Sequence, residues 1–322
     1  MKIIFLFISL FFSFGAAGSA SSSWVGELQF AQRFLDQKKY IEAHDQYLRY
    51  AKKNGLAQLA LGIINANGLG RARNAEQACF WFKKSAENNV PVAEHFWANC
   101  LVENKKNPEN IRLAVGFYER AASHGHLISS CYAADYYMQG FGVTKDVQKA
   151  LSMCSEVANV GSLPAIKKMA RYYSDNRYIP IDVPAAEYWY QRGAEIGSAE
   201  MLSDWASFVA SVSGMDSPRA VYLAELAAAQ GYAPSYLMAA VFYAHSTGRE
   251  DGDISPEHLA KIYLWSRAAK AACEGLKDSE LLAQIDRLLI EMIPQTWYAD
   301  LDEKVAGHLL KYPVGQKMVC SK

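Results

Sequence analysis

The sequence predicts an all-α fold, a solenoid of helix pairs with capping helices at its ends. Two observations carry this. An alanine recurs at Ala43, Ala78, Ala114, Ala150, Ala186, Ala220 and Ala260, in steps of 35, 36, 36, 36, 34 and 40 residues. A second alanine follows each by eight, at Ala51, Ala86, Ala122, Ala158, Ala194, Ala228 and Ala268. Self-similarity at a period of this length marks a repeat array, in which each repeat is one supersecondary unit that buries its core against its neighbours.

Each element follows from the register. Four residues after the first alanine stands a ring in several repeats: Tyr47, Phe82, Tyr118 and Tyr190. Alanine, ring and alanine then share one helix face, where small residues admit a neighbouring helix and the ring fills the space between. This helix ends near Gly55, Asn89, Gly125, Gly161, Gly197 or Gly231, residue types that tolerate the left-handed conformation of a helix C-terminus. The next helix carries a large residue, a small one and then a ring, as in Leu61-Gly62, Trp97-Ala98, Ala133-Ala134 with Tyr137, Met169-Ala170 with Tyr173, Trp205-Ala206 and Ala239-Ala240 with Tyr243. Two repeats close it with a glycine turn, Gly68-Leu69-Gly70 and Gly140-Phe141-Gly142.

The segments Leu61-Gly62…Gly68-Leu69-Gly70…Ala78-Cys79-Phe80-Trp81-Phe82 and Tyr136-Tyr137-Met138-Gln139-Gly140-Phe141-Gly142-Val143…Lys149-Ala150 resemble Sel1 repeats, which are TPR-like helix pairs. The resemblance spans residues 38–275 and departs from the pattern at Met153-Cys154, where an aromatic pair is wanted. It implies a right-handed α-solenoid of Sel1-like helix pairs. A Gly- and Asp-rich insertion at 248–256 reads as a loop. Residues 24–37 and 278–293 are amphipathic at helical spacing and read as caps, followed by a last helix near 297–310 after Pro294. The organisation is therefore a signal peptide (1–20), an array of six to seven helix pairs (21–275), and C-terminal capping helices with a tail (276–322).

Lys2, the apolar run Ile3–Phe14 and the small residues Gly15–Ala20 have the layout of a cleavable export signal. Cleavage after Ala20 or after Ala17 fits, and an uncleaved anchor is the alternative. Export to the periplasm or the medium is the expectation, with no integral membrane span after cleavage. Lys+Arg and Asp+Glu are equal at 33 each, so no basic surplus exists to displace counterions from nucleic acid.

No catalytic motif is found. Ser-x-x-Lys, Gly-x-Ser-x-Gly and His-Glu-x-x-His are all missing from the sequence. The glycine turns follow helices rather than strands, so they are repeat punctuation and not phosphate loops. His124 and His126 flank Gly125 without further metal ligands nearby. No metal and no cofactor is expected. Trp81, Trp97, Trp189 and Trp205 stand at core register rather than on a ligand surface.

Export makes disulfides available to the six cysteines. Across a helix hairpin, residues at equal height have numbers with a constant sum. This pairs Cys79 with Cys100 and Cys131 with Cys154, leaving Cys273 and Cys320 to staple the tail. Buried free thiols are the alternative.

The resemblance to TPR-like repeats places a binding groove on the first helix of each pair. It implies His95, Asn99, Asp135, Met138, Lys167, Arg171, Ser203 and Ser207 as groove residues, with Lys167 and Arg171 offered to a carboxylate. The expected function is an exported scaffold that holds a protein or peptide, in a bacterial cell-envelope or secretion assembly, and not an enzyme. The alternatives are an exported enzyme acting on cell-wall material and a secreted factor acting on host proteins.

Overall fold

A computed structural model describes residues 22–103, 107–246, 254–274, 280–313 and 318–319. Among them are sixteen α-helices and one pair of two-residue strands. The chain divides into two compact units, Met1–Ala165 and Ile166–Lys322. The expected export signal and the heart of the Gly/Asp-rich insertion lie outside the described residues.

The first unit holds α1 (Ser22–Asp36), α2 (Tyr40–Tyr50), α3 (Gly55–Asn67), α4 (Ala75–Glu87), α5 (Pro91–Glu103), α6 (Pro108–Ser123), α7 (Ser129–Gln139) and α8 (Val147–Asn159). Each packs against the next. The rings Tyr47, Phe82 and Tyr118 are buried as the register requires. The small residue of the partner helix is what admits the ring. A Cβ on Gly62 would lie 2.4 Å from Phe82 Cε1, closer than any packed carbon can sit.

Two recurring devices set the hairpins. The N-cap residues Asn74, Asn107 and Asp146 each accept a hydrogen bond from a backbone N–H two or three residues on, starting α4, α6 and α8. Such a cap contributes about 1 kcal/mol. At the other end, Asn89, Gly125 and Gly161 adopt φ of 55°, 101° and 89°. The next N–H then reaches back to an unpaired helix carbonyl, as His126 N does to Ala121 O at 2.8 Å. Gly55 differs from this expectation. It opens α3 behind the N-cap Asn54, and a Cβ there would meet Val90 Cγ2 at 2.8 Å. Close approach of two loops, not a left-handed turn, is what requires glycine at that position.

The second unit takes most of α9 (Leu163–Ser174), then α10 (Val183–Glu195), α11 (Ala199–Ser213), α12 (Pro218–Ala229), α13 (Pro234–His245), α14 (Pro256–Ala272), α15 (Glu280–Met292) and α16 (Tyr298–Lys311). From α10 to α14 each helix packs on the next, and α14 also receives α15 and α16. The strands β1 (Cys273–Glu274) and β2 (Met318–Val319) pair in parallel. The cap α16 is tied down by polar contacts: Tyr263 donates to Asp302 Oδ1 at 2.7 Å, and His308 Nε2 lies 3.0 Å from the Tyr236 hydroxyl. Leu282, Ile285 and Leu289 form the buried face of α15, as the spacing predicts.

The alanine register holds with three exceptions. Ala122, Ala194 and Ala260 are only half-buried, while Ala121, Gly193 and Leu259 beside them are buried. In the first two the buried position moves one residue back, to an offset of seven, which at 3.6 residues per turn lies about 20° from the first alanine where an offset of eight lies about 80°. Trp189 and Trp205 are buried, whereas Trp81 and Trp97 are half-buried and reach the surface.

Candidate functional site: the first-helix faces and their supports

The first-helix faces of the two units are built differently. In the first unit the residues expected to line a groove divide. His95 and Met138 are buried in the core and present almost no surface to a partner. Asn99 is half-buried, and its Oδ1 accepts from the Tyr118 hydroxyl at 2.6 Å. Asp135 is half-buried on α7. The Tyr132 and Tyr136 hydroxyls beside it are pushed up, first by burial and then by its charge. This face is thus a tyrosine-rich surface carrying one carboxylate, with Tyr118 beneath it.

In the second unit Lys167 is half-buried and engaged. Its ammonium bridges Glu200 and Asp204, the latter at 3.7 Å. The lysine expected to meet a partner's carboxylate therefore already meets two of the chain's own. Burial raises the Asp204 carboxyl and Lys167 opposes that rise. Arg171 is exposed, its guanidinium 5.8 Å from the Tyr178 ring centroid. Ser203 is buried. Ser207 is exposed and donates back to the Ser203 carbonyl at 3.1 Å.

Beneath the face of the first unit lie polar supports that sequence reasoning missed. Glu94 on α5 is wholly buried. Arg120 Nε donates to it at 2.6 Å, His124 Nδ1 lies 3.1 Å from its second oxygen, and Arg120 Nη2 also reaches the Ala86 carbonyl at 3.1 Å. The preceding pair has a related node in neutral form, in which the carbonyl is reached by the glutamine itself. Gln58 Nε2 donates to the Ala51 carbonyl at 2.7 Å, and Asn88 Nδ2 donates to Gln58 Oε1 at 3.0 Å. Ala51 and Ala86 are register equivalents, and both side-chain links span 30 residues. That shared offset was the available signal. A second support is Ser129, also wholly buried, whose Oγ lies 2.9 Å from His95 Nδ1 and 2.7 Å from His126 Nδ1.

Two disulfides close helix pairs in the first unit. Cys79 and Cys100 join α4 to α5, with Cα atoms 5.8 Å apart. Cys131 and Cys154 join α7 to α8 at a Cα separation of 4.4 Å, and both are wholly buried. Cys154 occupies the place that Tyr47, Phe82 and Tyr118 fill in the other pairs of this unit. The side chain of Cys273, and all of Cys320, lie outside the described residues. Among the described residues no three His, Cys, Asp or Glu side chains are placed to hold a metal ion. No helix among them is long and apolar enough to cross a membrane.

Helix pairs in a small-residue and ring register define a helical-repeat fold. The chain carries Sel1 repeats, which match residues 55–90, 107–126, 129–156, 164–198 and 212–232. Proteins built of Sel1 repeats generally mediate protein–protein interaction, and the fold is typically non-catalytic. A Sel1 repeat protein from Oxalobacter formigenes superimposes with a TM-score of 0.58 at 22% identity, over 76% of this chain and 98% of that one. A protective antigen of uropathogenic Escherichia coli strains, displaying an SLR fold, gives a TM-score of 0.37 at 15% identity, over 84% of this chain and 72% of that one. An uncharacterised protein of Neisseria meningitidis serogroup B is 30% identical over 94 residues, 29% of this chain. The match spans 20% of that relative's length.

Proposed function

We propose that this protein is an exported scaffold that holds a partner protein or peptide on its first-helix faces, within a bacterial cell-envelope or secretion assembly. The observation that carries the reading is the pair of disulfides, Cys79–Cys100 and Cys131–Cys154, that tie neighbouring helices of a Sel1 repeat array. Such bonds persist in oxidising compartments and are rare where thiols are kept reduced. The layout of residues 2–20 agrees with that destination. The surface left for a partner is mixed. Asn99 and Asp135 stand among tyrosines, Arg171 is exposed over the Tyr178 ring, and Ser207 is exposed on α11, the helix that carries Glu200 and Asp204. Aromatic side chains with interspersed charges suit a protein surface, where rings supply contact area and charges set register.

The test has two arms. Fractionation of cells making the tagged full chain, with thiol alkylation before lysis, should find the protein outside the cytoplasm with Cys79, Cys100, Cys131 and Cys154 all unreactive; a cytoplasmic, alkylated protein overturns export. Purified protein incubated with envelope extract should retain a defined partner, and Asp135→Lys or Arg171→Glu should release it. Turnover of a cell-wall fragment with no protein retained would overturn the scaffold reading in favour of an enzyme. Retention of a host protein, and no envelope protein, would redirect it to a secreted factor.

A further inference from the structure

The two disulfides differ in their reach to solvent. Cys131 and Cys154 are wholly buried, while Cys79 and Cys100 are both half-buried. The difference has a cause in the chain. After α3 and α7 the connections run over residues 68–74 and 140–146, and each opens on a glycine turn. Those turns pack on the start of the preceding second helix: Gly70 lies against Tyr40 and Ile41 at α2, and Gly142 against Pro108 and Ile111 at α6. After α5 only residues 104–107 lead to α6, and none is glycine. The start of α4 shows the result. Three residues before the register alanine, Tyr40 is half-buried and Ile111 buried, whereas Ala75 is exposed. Ala75 stands one turn from Cys79 on the same face of α4, so Cys79 is uncovered from that end.

We propose that Cys79–Cys100 is a thiol–disulfide exchange site, open to a dithiol while the protein is folded, and that Cys131–Cys154 is closed to the same reagent. One thiolate of the dithiol attacks a sulfur of the pair. The Cys79–Cys100 bond breaks, and the other sulfur leaves as a thiolate. The second thiol of the reagent then attacks the mixed disulfide. It releases the second cysteine and leaves with its own two sulfurs joined. The reagent loses two electrons and two protons, the chain gains both, and two free thiols stand where the bond was. Nothing else is consumed.

Charges of both signs lie one turn from the sulfurs. Lys83 follows Cys79 by four residues, and its ammonium is 5.7 Å from the ring centroid of Trp97, itself three residues before Cys100. Glu76 precedes Cys79 by three, and Glu103 follows Cys100 by three. Access, and not an activated thiol, therefore separates the two bonds. At Cys131–Cys154 an attacking thiolate must wait for local opening of α7 and α8. The bonds also hold different things. Cys131 and Cys154 fall within one matched repeat, 129–156, while Cys79 lies in the repeat 55–90 and Cys100 beyond it. Exchange loosens the joint between a repeat and the helix that follows, and leaves the tie inside the later repeat intact. In a stack whose units contact only their neighbours, that loosening stays local. The site requires that the bonds form and nothing of a partner protein, so its test is independent of the scaffold reading.

The full chain, purified with both bonds intact, is incubated with dithiothreitol near neutral pH without denaturant. Samples are quenched with iodoacetamide over time, and each cysteine peptide is quantified by mass spectrometry. Cys79 and Cys100 should be labelled at least about tenfold faster than Cys131 and Cys154, since opened states hold no more than about a tenth of a folded population. Equal rates, or earlier opening of Cys131–Cys154, overturn the proposal. Below the unfolding transition the Cys79–Cys100 rate should stay flat as urea is added, while the Cys131–Cys154 rate climbs. A Cys79–Cys100 rate that climbs from the outset shows that this bond too waits for opening, and overturns it. In concentrated urea the two rates should converge; a gap that survives there lies in the thiols themselves and not in the fold, and overturns the argument from access.

Discussion

Replacing Arg120 by methionine tests how much of the first unit rests on a buried charge. Glu94 is wholly inside, and Arg120 supplies its shortest contact, at 2.6 Å. Arg120→Met leaves the carboxylate with His124 alone and takes a donor from the Ala86 carbonyl. Removing one partner of a buried pair costs about 3–5 kcal/mol, because the remaining charge is left uncompensated. The retained histidine and the half-exposed Arg120 side chain, 40% accessible, bring the expected loss below that range, to about 2 kcal/mol. Glu94→Gln on the same background should return about 1–2 kcal/mol, because an amide costs less to bury than an unpaired charge. The preceding pair already uses glutamine at this position. Urea unfolding followed by circular dichroism and by tyrosine and tryptophan fluorescence gives the four corners of the cycle, with the first transition fitted separately if the probes do not coincide. A loss below about 1 kcal/mol for Arg120→Met would place the pair among exposed ion pairs, and no recovery with Glu94→Gln would refute the charge argument.

Two further outcomes follow from the same structure. The disulfides close loops of 21 and 23 residues, for which chain entropy gives about 3 kcal/mol each; Cys79→Ala with Cys100→Ala should lower unfolding stability by that amount, and a change below about 1 kcal/mol would contradict it. Asp204→Asn should stabilise the second unit near neutral pH, because burial raises the folded carboxyl and Lys167 does not fully offset it. A raised carboxyl binds its proton more tightly when folded, so its penalty is present above the folded value and vanishes below the unfolded one. The gain should therefore disappear by about pH 3, below the ordinary aspartate range. A variant less stable than wild type at pH 7 would show that the Lys167 contact dominates instead.

The fold was legible because its signals are local and periodic. Ala78, Phe82 and Ala86 announce a face within one helix, and Gly62 meeting Phe82 repeats the message across the hairpin. The site was legible only in part. Carrying the TPR groove positions over assumed that a fixed sequence offset fixes a side chain's direction, yet His95, Met138 and Ser203 point into the core. Lys167 was read as available because its partners Glu200 and Asp204 sit on the next first helix, and a pattern read within one repeat does not pair residues across two. The Glu94 node was hidden for the same reason. Its chemistry changes from amide to ion pair between repeats while the 30-residue link stays, so a search for repeated residue types passes over it.

The pair α7–α8 differs from the others of its unit in what fills its middle. Where its neighbours place a ring, it places a bond between Cys131 and Cys154. A ring fills space in any solvent, but this filler is completed only by an oxidant. Until that bond closes, the pair holds two small buried thiols where its neighbours pack a ring, and the covalent tie between α7 and α8 is missing. The completion of this helix pair is therefore set partly by the redox state of its surroundings, and not by its sequence alone.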